Sequence, residues 1–374
     1  MSEGSVAVDT SRLGLKAGTP DIKSVGPLAF SPDGVLFLAD NVGATIYAIA
    51  VNGSNASADG RAVNVDKLDT RLAAFLGCSR DDVFIRDMAV HPSSSEVYLS
   101  VTRGSGVAAV PVVVTVGPDG TLTEVSLENV PFAETRIENA PAEDDDRKEV
   151  RVVRGTREGE TVHYGGNPFQ IANEGLRTVT VTDMAYVDGV LLVAGASNEE
   201  FSSSLRRIPF PFNGGGSTNS LEIFHVSHGK YETASPIRRF VPYGGDTSVL
   251  ASYTCTPLVH ISLRDATSEM QVKGKTVAEL GSGSTPLGMV SFVRGDGEYV
   301  LVSNTTHPLM KFACGDIDRQ GPLTEPKEPL GAPRQELPQA GVGLMASLNG
   351  AAVLMAQEDD EGNVSLHTYD TATL

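Results

Sequence analysis

Short apolar runs broken by tight polar turns set the rhythm of the chain. The clearest example is VGPLAFSPDGVLFLADNVGATIYAIAV, from Val25 to Val51. It reads as an apolar strand, a Ser-Pro-Asp-Gly turn at Ser31 to Gly34, a second strand ending in Ala39-Asp40-Asn41, and a third strand. Such turn residues fold neighbouring strands back on one another. The same order returns in FIRDMAVHPSSSEVYLSVTRG from Phe84, VTVTDMAYVDGVLLVAGASNEEF from Val179 and IRRFVPYGGDTSVLASYTCTPLVHISL from Ile237. It returns again in PLGMVSFVRGDGEYVLVSNTTHPLMKFAC from Pro286 and GVGLMASLNGAAVLMAQEDDEGNVSLHTY from Gly341. Six copies of strand, tight turn, strand and polar step, spaced at roughly 50 to 95 residues, predict propeller blades rather than a sandwich. A blade cannot bury both faces alone, so the copies must stack in a ring. The expected fold is all-β: a single six-bladed β-propeller over residues 1–374, with seven blades as the alternative.

Two inserts interrupt the repeat. In NVDKLDTRLAAFLG, from Asn64 to Gly77, Val65, Leu68, Leu72, Phe75 and Leu76 fall at helical spacing between an Asn start and a Gly stop. This predicts a short rim helix near 65–77 that packs as core. The second insert, 134–177, contains APAEDDDRKEVRVVRG, whose dense charge predicts a solvated excursion with a mobile tip. A degenerate seventh blade would also sit there. The last copy runs out after its third strand, VSLHTYDT. A ring closed by strands from both chain ends leaves no exposed edge, so a segment near Arg12 to Lys16 is expected to supply the missing outer strand.

Composition narrows the partners. With 47 acidic against 29 basic side chains the net charge is −18, a field that repels nucleic acid and anionic lipid. Neither nucleic acid nor membrane is an expected partner, and an anionic substrate would need a local positive patch. No run approaches the ~20 apolar residues of a membrane span, and the N-terminus lacks a basic-then-apolar secretory pattern. A soluble protein is expected, cytoplasmic or exported with its signal removed. Cys78, Cys255 and Cys314 are odd in number and lack metal-finger spacing, which leaves at least one free thiol. The chain carries no phosphate-binding loop, no Gly-x-Ser-x-Gly and no His-Glu-x-x-His, so no nucleotide cofactor is expected and ordinary serine hydrolases and zincins fall away.

The phrases GPLAFSPDGVLFLADN, RDMAVHP and TDMAYVDG resemble the inner-strand motif of six-bladed propellers of the NHL-repeat and gluconolactonase/senescence-marker type. Propellers of this kind serve as lactonases, lyases and binding modules. The resemblance implies that the loop entering each innermost strand and the loop leaving the second strand open at one mouth of a central funnel. It also implies a divalent cation held by Asp and Asn side chains with a Glu from the first blade. Asp87 and Asp183, in Arg-Asp-Met-Ala and Thr-Asp-Met-Ala, stand at such places, whereas Val25 replaces the Glu before Gly-Pro and Leu287 stands at the fifth-copy position. Glu199 or Asn198 could complete the ligand set. In the alternative reading each Asp accepts backbone N–H bonds and pins its blade.

The densest chemistry lies between Leu221 and Leu263. His225 and His228 suit zinc, copper or iron, but on an extended strand a spacing of three points the rings to opposite faces. Joint ligation requires a turn between them, and Gly229 permits one. Cys255 could be a thiolate nucleophile or soft ligand near His228, with His228 as general base or ligand; a small buried thiol and satisfied structural histidines are the other reading. Of adjacent Arg238 and Arg239 only one should face the funnel, where with Arg103 it could clamp a carboxylate or phosphate. The expected catalytic set is His228, Cys255, Glu199 and Arg103. The expected metal set is Asp87, Asp183, Glu199, His225 and His228, for calcium or a transition metal. Together these predict a small-molecule enzyme of hydrolase, lactonase or lyase type, with a propeller binding module as the alternative.

Overall fold

Gly34 shows how the turns close the strands. It sits at φ 83°, its N–H donates to the Ser31 carbonyl at 3.0 Å, and the Ser31 N–H donates to the Val35 carbonyl. A Cβ there would come within 2.8 Å of His91 Nε2, so only glycine fits. Turns of this kind recur throughout the computed structural model, which describes residues 8–51, 62–153, 159–164, 167–254, 257–268, 271–281, 283–295, 297–325 and 330–374.

Each sequence copy is an antiparallel sheet. Sheet one runs Leu28–Phe30, Val35–Asp40, Thr45–Ala50 and Val130–Arg136, with Lys16–Gly18 outermost. Sheet two runs Val83–Val90, Val97–Arg103, Val110–Val116 and Leu122–Glu124. Sheet three is Asp183–Val187, Val190–Ala196, Ser203–Pro209 and Ser217–His225; sheet four is Ile237–Tyr243, Ser248–Tyr253, Pro257–Ser262 and Gln271–Glu279. The outermost strands of three and four pair in parallel, Ser220 with Gln271, and so join the two. Sheet five is Pro286–Arg294, Gly297–Asn304, Leu309–Ala313 and Arg334–Leu337, and sheet six is Val342–Leu348, Ala352–Glu358 and Val364–Asp370.

The innermost strands touch in a closed cycle, and a separate apolar core fills each space between neighbouring sheets, which makes the fold a β-propeller. Leu36 and Tyr47 of sheet one meet Tyr98 and Val113 of sheet two. Leu99 and Val114 of sheet two meet Leu354 and Leu366 of sheet six. Sheets six and five share Val353, Met355, Val290 and Leu301; five and four share Val300, Phe312, Leu250 and Val277. Sheets four and three share Val249, Val259, Leu192 and Leu221, and sheets three and one share Met184, Leu191, Phe37 and Ile46. Around the axis the order is therefore two, one, three, four, five, six, so the first two sheets are exchanged relative to the chain.

The crossing that produces this exchange also closes the ring. Val65 and Leu366 exchange both backbone hydrogen bonds, at 2.8 and 2.9 Å, and the Thr368 hydroxyl donates to the Val63 carbonyl. The expectation that a segment near 12–16 flanks the last sheet is not met. Lys16–Gly18 pairs with Val130–Arg136 of sheet one, because the edge of sheet six is already occupied by 63–65. The rim helix is present as Leu68–Leu76 and ends at Gly77 with φ 68°. Asn64 does not cap it: its Oδ1 accepts the Thr368 N–H, and Lys67 takes the cap position at φ 51°. Leu68, Leu72 and Leu76 are buried in the core between sheets two and six, while Phe75 is exposed.

The charged insert is not simply a solvated excursion. Lys148–Val152, Asn167–Gly175 and Glu160–Tyr164 form a three-stranded antiparallel sheet that docks on Arg238 of sheet four through side chains and on Thr285 beside sheet five through its backbone; the tip at 154–158 lies outside the described residues. Among the described residues no helix is long and apolar enough to cross a membrane.

Two measurements check this architecture. Cα atoms of a hydrogen-bonded antiparallel pair lie ~5.5 Å apart, within the range a disulfide spans, so Val65→Cys with Leu366→Cys should yield a 65–366 disulfide on oxidation. Its absence from peptide mass maps of the folded double variant would contradict the ring closure. Leu72→Ala, at a fully buried position, should cost about 2–5 kcal/mol in chemical denaturation.

Candidate functional site at the capped mouth

Four innermost strands carry a β-bulge at the same level near the mouth. The register shifts between Ile85 and Asp87, Ile237 and Arg239, Pro286 and Gly288, and Val342 and Met345. A bulge inserts one residue and breaks strict two-residue alternation. Adjacent Arg238 and Arg239 therefore both line the funnel, contrary to the expectation from alternation, and Arg86, Leu287 and Leu344 from the other bulges line it too. The resulting chamber has a volume of about 870 Å³ and takes walls from the inner strands and the insert sheet. A wider open groove adjoins it between sheets two and six, sharing Phe84, Ser105, Gly341 and Glu358.

Below the chamber Arg239 crosses the axis. Its Nη1 lies 3.2 Å from Asp87 Oδ1 of sheet two and 3.7 Å from Asp183 Oδ1 of sheet three, and its Nε donates to the Leu287 carbonyl of sheet five. The other carboxylate oxygens accept backbone N–H groups across sheet boundaries, Asp87 from Leu28 and Asp183 from Phe240, both at 2.8 Å. Burial pushes the Asp183 carboxyl up to about 7, with Arg239 pulling it down and the Asp87 charge pushing it up again. Asp87 is likewise raised by burial, against the pull of Arg239. The two aspartates expected to hold a cation thus enclose a guanidinium. Glu199, their expected third partner, is exposed and accepts from the Ser220 hydroxyl at 3.2 Å.

The insert sheet caps the mouth through charge. Arg238 reaches Glu174 at 3.0 Å and Glu149 at 3.4 Å, Arg151 reaches Glu174 at 2.7 Å, and the Val152 N–H donates to Thr285 Oγ1. Arg238 is 7% exposed, and among the described residues its Nη2 makes no hydrogen bond. Burial raises the Glu149 carboxyl, although Arg238 and the Thr254 hydroxyl oppose the shift. Glu174 feels the same burial, but Arg151 and Arg238 together hold it below its ordinary value. Sequence reasoning missed Glu149, Arg151 and Glu174. For Glu149 and Arg151 the one signal was alternation of charge with Val150 and Val152 in KEVRV, a strand pattern inside a charged run; Glu174 carried none.

The other expected residues are dispersed. Arg103 Nη1 donates to the Leu76 carbonyl at the end of the helix, which ties sheet two to the rim rather than offering an anion clamp. Cys255 lies outside the described residues. Asn41 at the mouth exchanges hydrogen bonds with the Val181 backbone, and Asp40 accepts from Lys23, Ser24 and Gly43 N–H groups, so this polar step pins loops. His225 and His228 do come together. The chain turns at Val226–His228 and Gly229, at φ 65°, and both imidazole Nδ1 atoms lie 2.7 Å from the Glu232 carboxylate. Burial pushes Glu232 up, but the hydrogen bonds from both rings outweigh it and hold the carboxyl down at about 2.

No protein-family model matches the chain, and no curated protein does. Many solved structures are similar, and three that match over nearly full length illustrate the level of likeness. One is described as U3-55K, at 11% identity over 95% of this chain and 98% of that one, with a TM-score of 0.40. Another is the Myceliophteria thermophila Cps50 (Swd1) β-propeller domain, at 10% over 96% and 100%, with a TM-score of 0.37. The third is virginiamycin B lyase from Staphylococcus aureus, at 9% over 95% and 98%, also with a TM-score of 0.37. Likeness at this level says nothing of the site.

The axial aspartates make a pH signature. The folded Asp183 carboxyl titrates near 7, against 3.8 for an ordinary aspartate, so between those values the folded state keeps a proton that the unfolded state has lost. Its contribution to stability is fully present below about 4 and is lost as pH rises through 7. Asp183→Asn should flatten the fall in Tm over that window relative to the parent chain. Melting curves at stepped pH that keep the parent slope would refute the assignment.

Proposed function

We propose that this chain is a six-bladed propeller that binds a small molecule bearing a carboxylate or phosphate in the chamber between its mouth and its cap. The carrying observation is Arg238, a buried guanidinium that lines the chamber and whose Nη2, 3.4 Å from Glu149 Oε1, makes no hydrogen bond among the described residues. A buried donor left unsatisfied is costly, and an oxyanion relieves it with a charge-assisted bond. Glu149, the looser of the two carboxylate partners of Arg238, is pushed toward protonation by burial, which eases its exchange for a ligand anion. Arg86, Arg151 and Arg239 line the same chamber beside Arg238, a cluster of guanidinium groups in an otherwise acidic protein. The six-blade count is supported by the closed cycle of inner strands.

Binding is favoured over metal-assisted lactonase or hydrolase chemistry of the gluconolactonase kind because Arg239 occupies the axial position between Asp87 and Asp183, where such a cation would sit. A second reading, acid–base catalysis of hydrolase or lyase type at the mouth, rests on Glu149, which reaches the chamber-lining Arg238 from the insert sheet. A carboxyl held toward its protonated form beside a cation suits a general acid.

Titration calorimetry with citrate, glycerol phosphate and inorganic phosphate tests the binding reading. The parent chain should bind at least one of them, and Arg238→Gln, with its fold verified by circular dichroism, should bind about 10- to 100-fold more weakly, as loss of a charged hydrogen bond implies. Unchanged affinity in Arg238→Gln, or no binding by the parent chain, overturns it. Glu149→Gln that keeps anion binding but abolishes turnover found in a screen of lactones and esters would establish the catalytic reading.

A further inference from the structure

A second constellation lies away from the chamber, at the outer end of sheet three. The strand Ser217–His225 folds back through Val226–His228 and Gly229 into Lys230–Glu232, which pairs His225 with Lys230 and Ile223 with Glu232. This tight reversal is what brings residues 225 and 228 to one side. Their rings stand with centroids 4.0 Å apart, and Glu232 faces both from the returning strand. One ligand atom from each of His225, His228 and Glu232 lies within 4.8 Å of the other two, and among the described residues this is the one such set of three.

We infer that His225, His228 and Glu232 form a binding site for a divalent transition cation of the zinc class. Two imidazoles and one carboxylate suit zinc, cobalt, nickel, copper or ferrous iron, whereas calcium and magnesium demand oxygen-rich sets. His225 is 3% exposed and forms the inner wall. The His228 side chain is 49% exposed, so the site opens to solvent on that side and leaves coordination positions for water or a ligand. In the arrangement seen, the carboxylate bridges the two rings at 2.7 Å each. It thereby already orients them, and a cation takes the place of the shared protons, which are released on binding. Lys230 Nζ lies 3.4 Å from Glu232 Oε1; its side chain is 66% exposed and can turn outward.

The test uses the untagged full chain, stripped with chelator and dialysed against zinc. The parent chain should retain one equivalent by elemental analysis, and cobalt substitution should give the visible absorption of a low-coordinate site. His228→Ala and Glu232→Gln, both on an exposed hairpin, should each weaken zinc binding at least about 100-fold, the upper end of what loss of an orienting partner costs. Arg238→Gln should retain the full equivalent, which separates this site from the chamber. If the parent chain takes up no more zinc than the His228→Ala/Glu232→Gln double variant, or if both single variants bind as the parent does, the three side chains are a hydrogen-bonded cluster and the inference fails.

Discussion

A single guanidinium on the axis organises this propeller. Arg239 draws Asp87 and Asp183 onto itself, and the three side chains together engage backbone or charge from sheets one to five. Burying ionisable groups is expensive, and only dense pairing makes it tolerable. Removing Arg239 would leave two buried carboxyls facing each other without a cation at the centre of the ring. Stability and rigidity are therefore concentrated at the axis, and ligand chemistry is displaced upward to the mouth and outward to the rim.

The strand rhythm and its turns were legible because each is local: Ser-Pro-Asp-Gly closes a hairpin whatever lies beyond it, and Leu68, Leu72 and Leu76 mark a helix face by spacing alone. Neighbour order was not legible. Sheets one and two carry similar inner-strand phrases, and nothing in either phrase says which of them adjoins sheet six; that depends on where Val65 pairs, a contact about 300 residues distant in the chain.

The site was legible by residue type but not by partnership. Asp87 and Asp183 announced a polar axis, yet their partner Arg239 looked excluded because alternation allows one of two adjacent residues to face inward. The repeated bulge lifts that restriction. The spacing of His225 and His228 argued against joint action until the turn at Gly229 was in place. In the insert, dense charge suggested solvation, but Glu149 and Glu174 pair with Arg151 and Arg238, so the same composition serves to dock a sheet onto the mouth.

The exchanged order of the first two sheets has a consequence for how the chain acquires its shape. Sheet one lacks its fourth strand until Val130–Arg136 emerges, and 63–65 waits for its partner until Val364–Asp370 is made. Non-local pairings of this length slow folding, because the chain must search before it is rewarded. During synthesis the edge at Val65 stands open for most of translation, a stretch of backbone available to wrong partners. Pairing with Leu366 covers that edge, so the strand made near the end of the chain protects one made near its beginning.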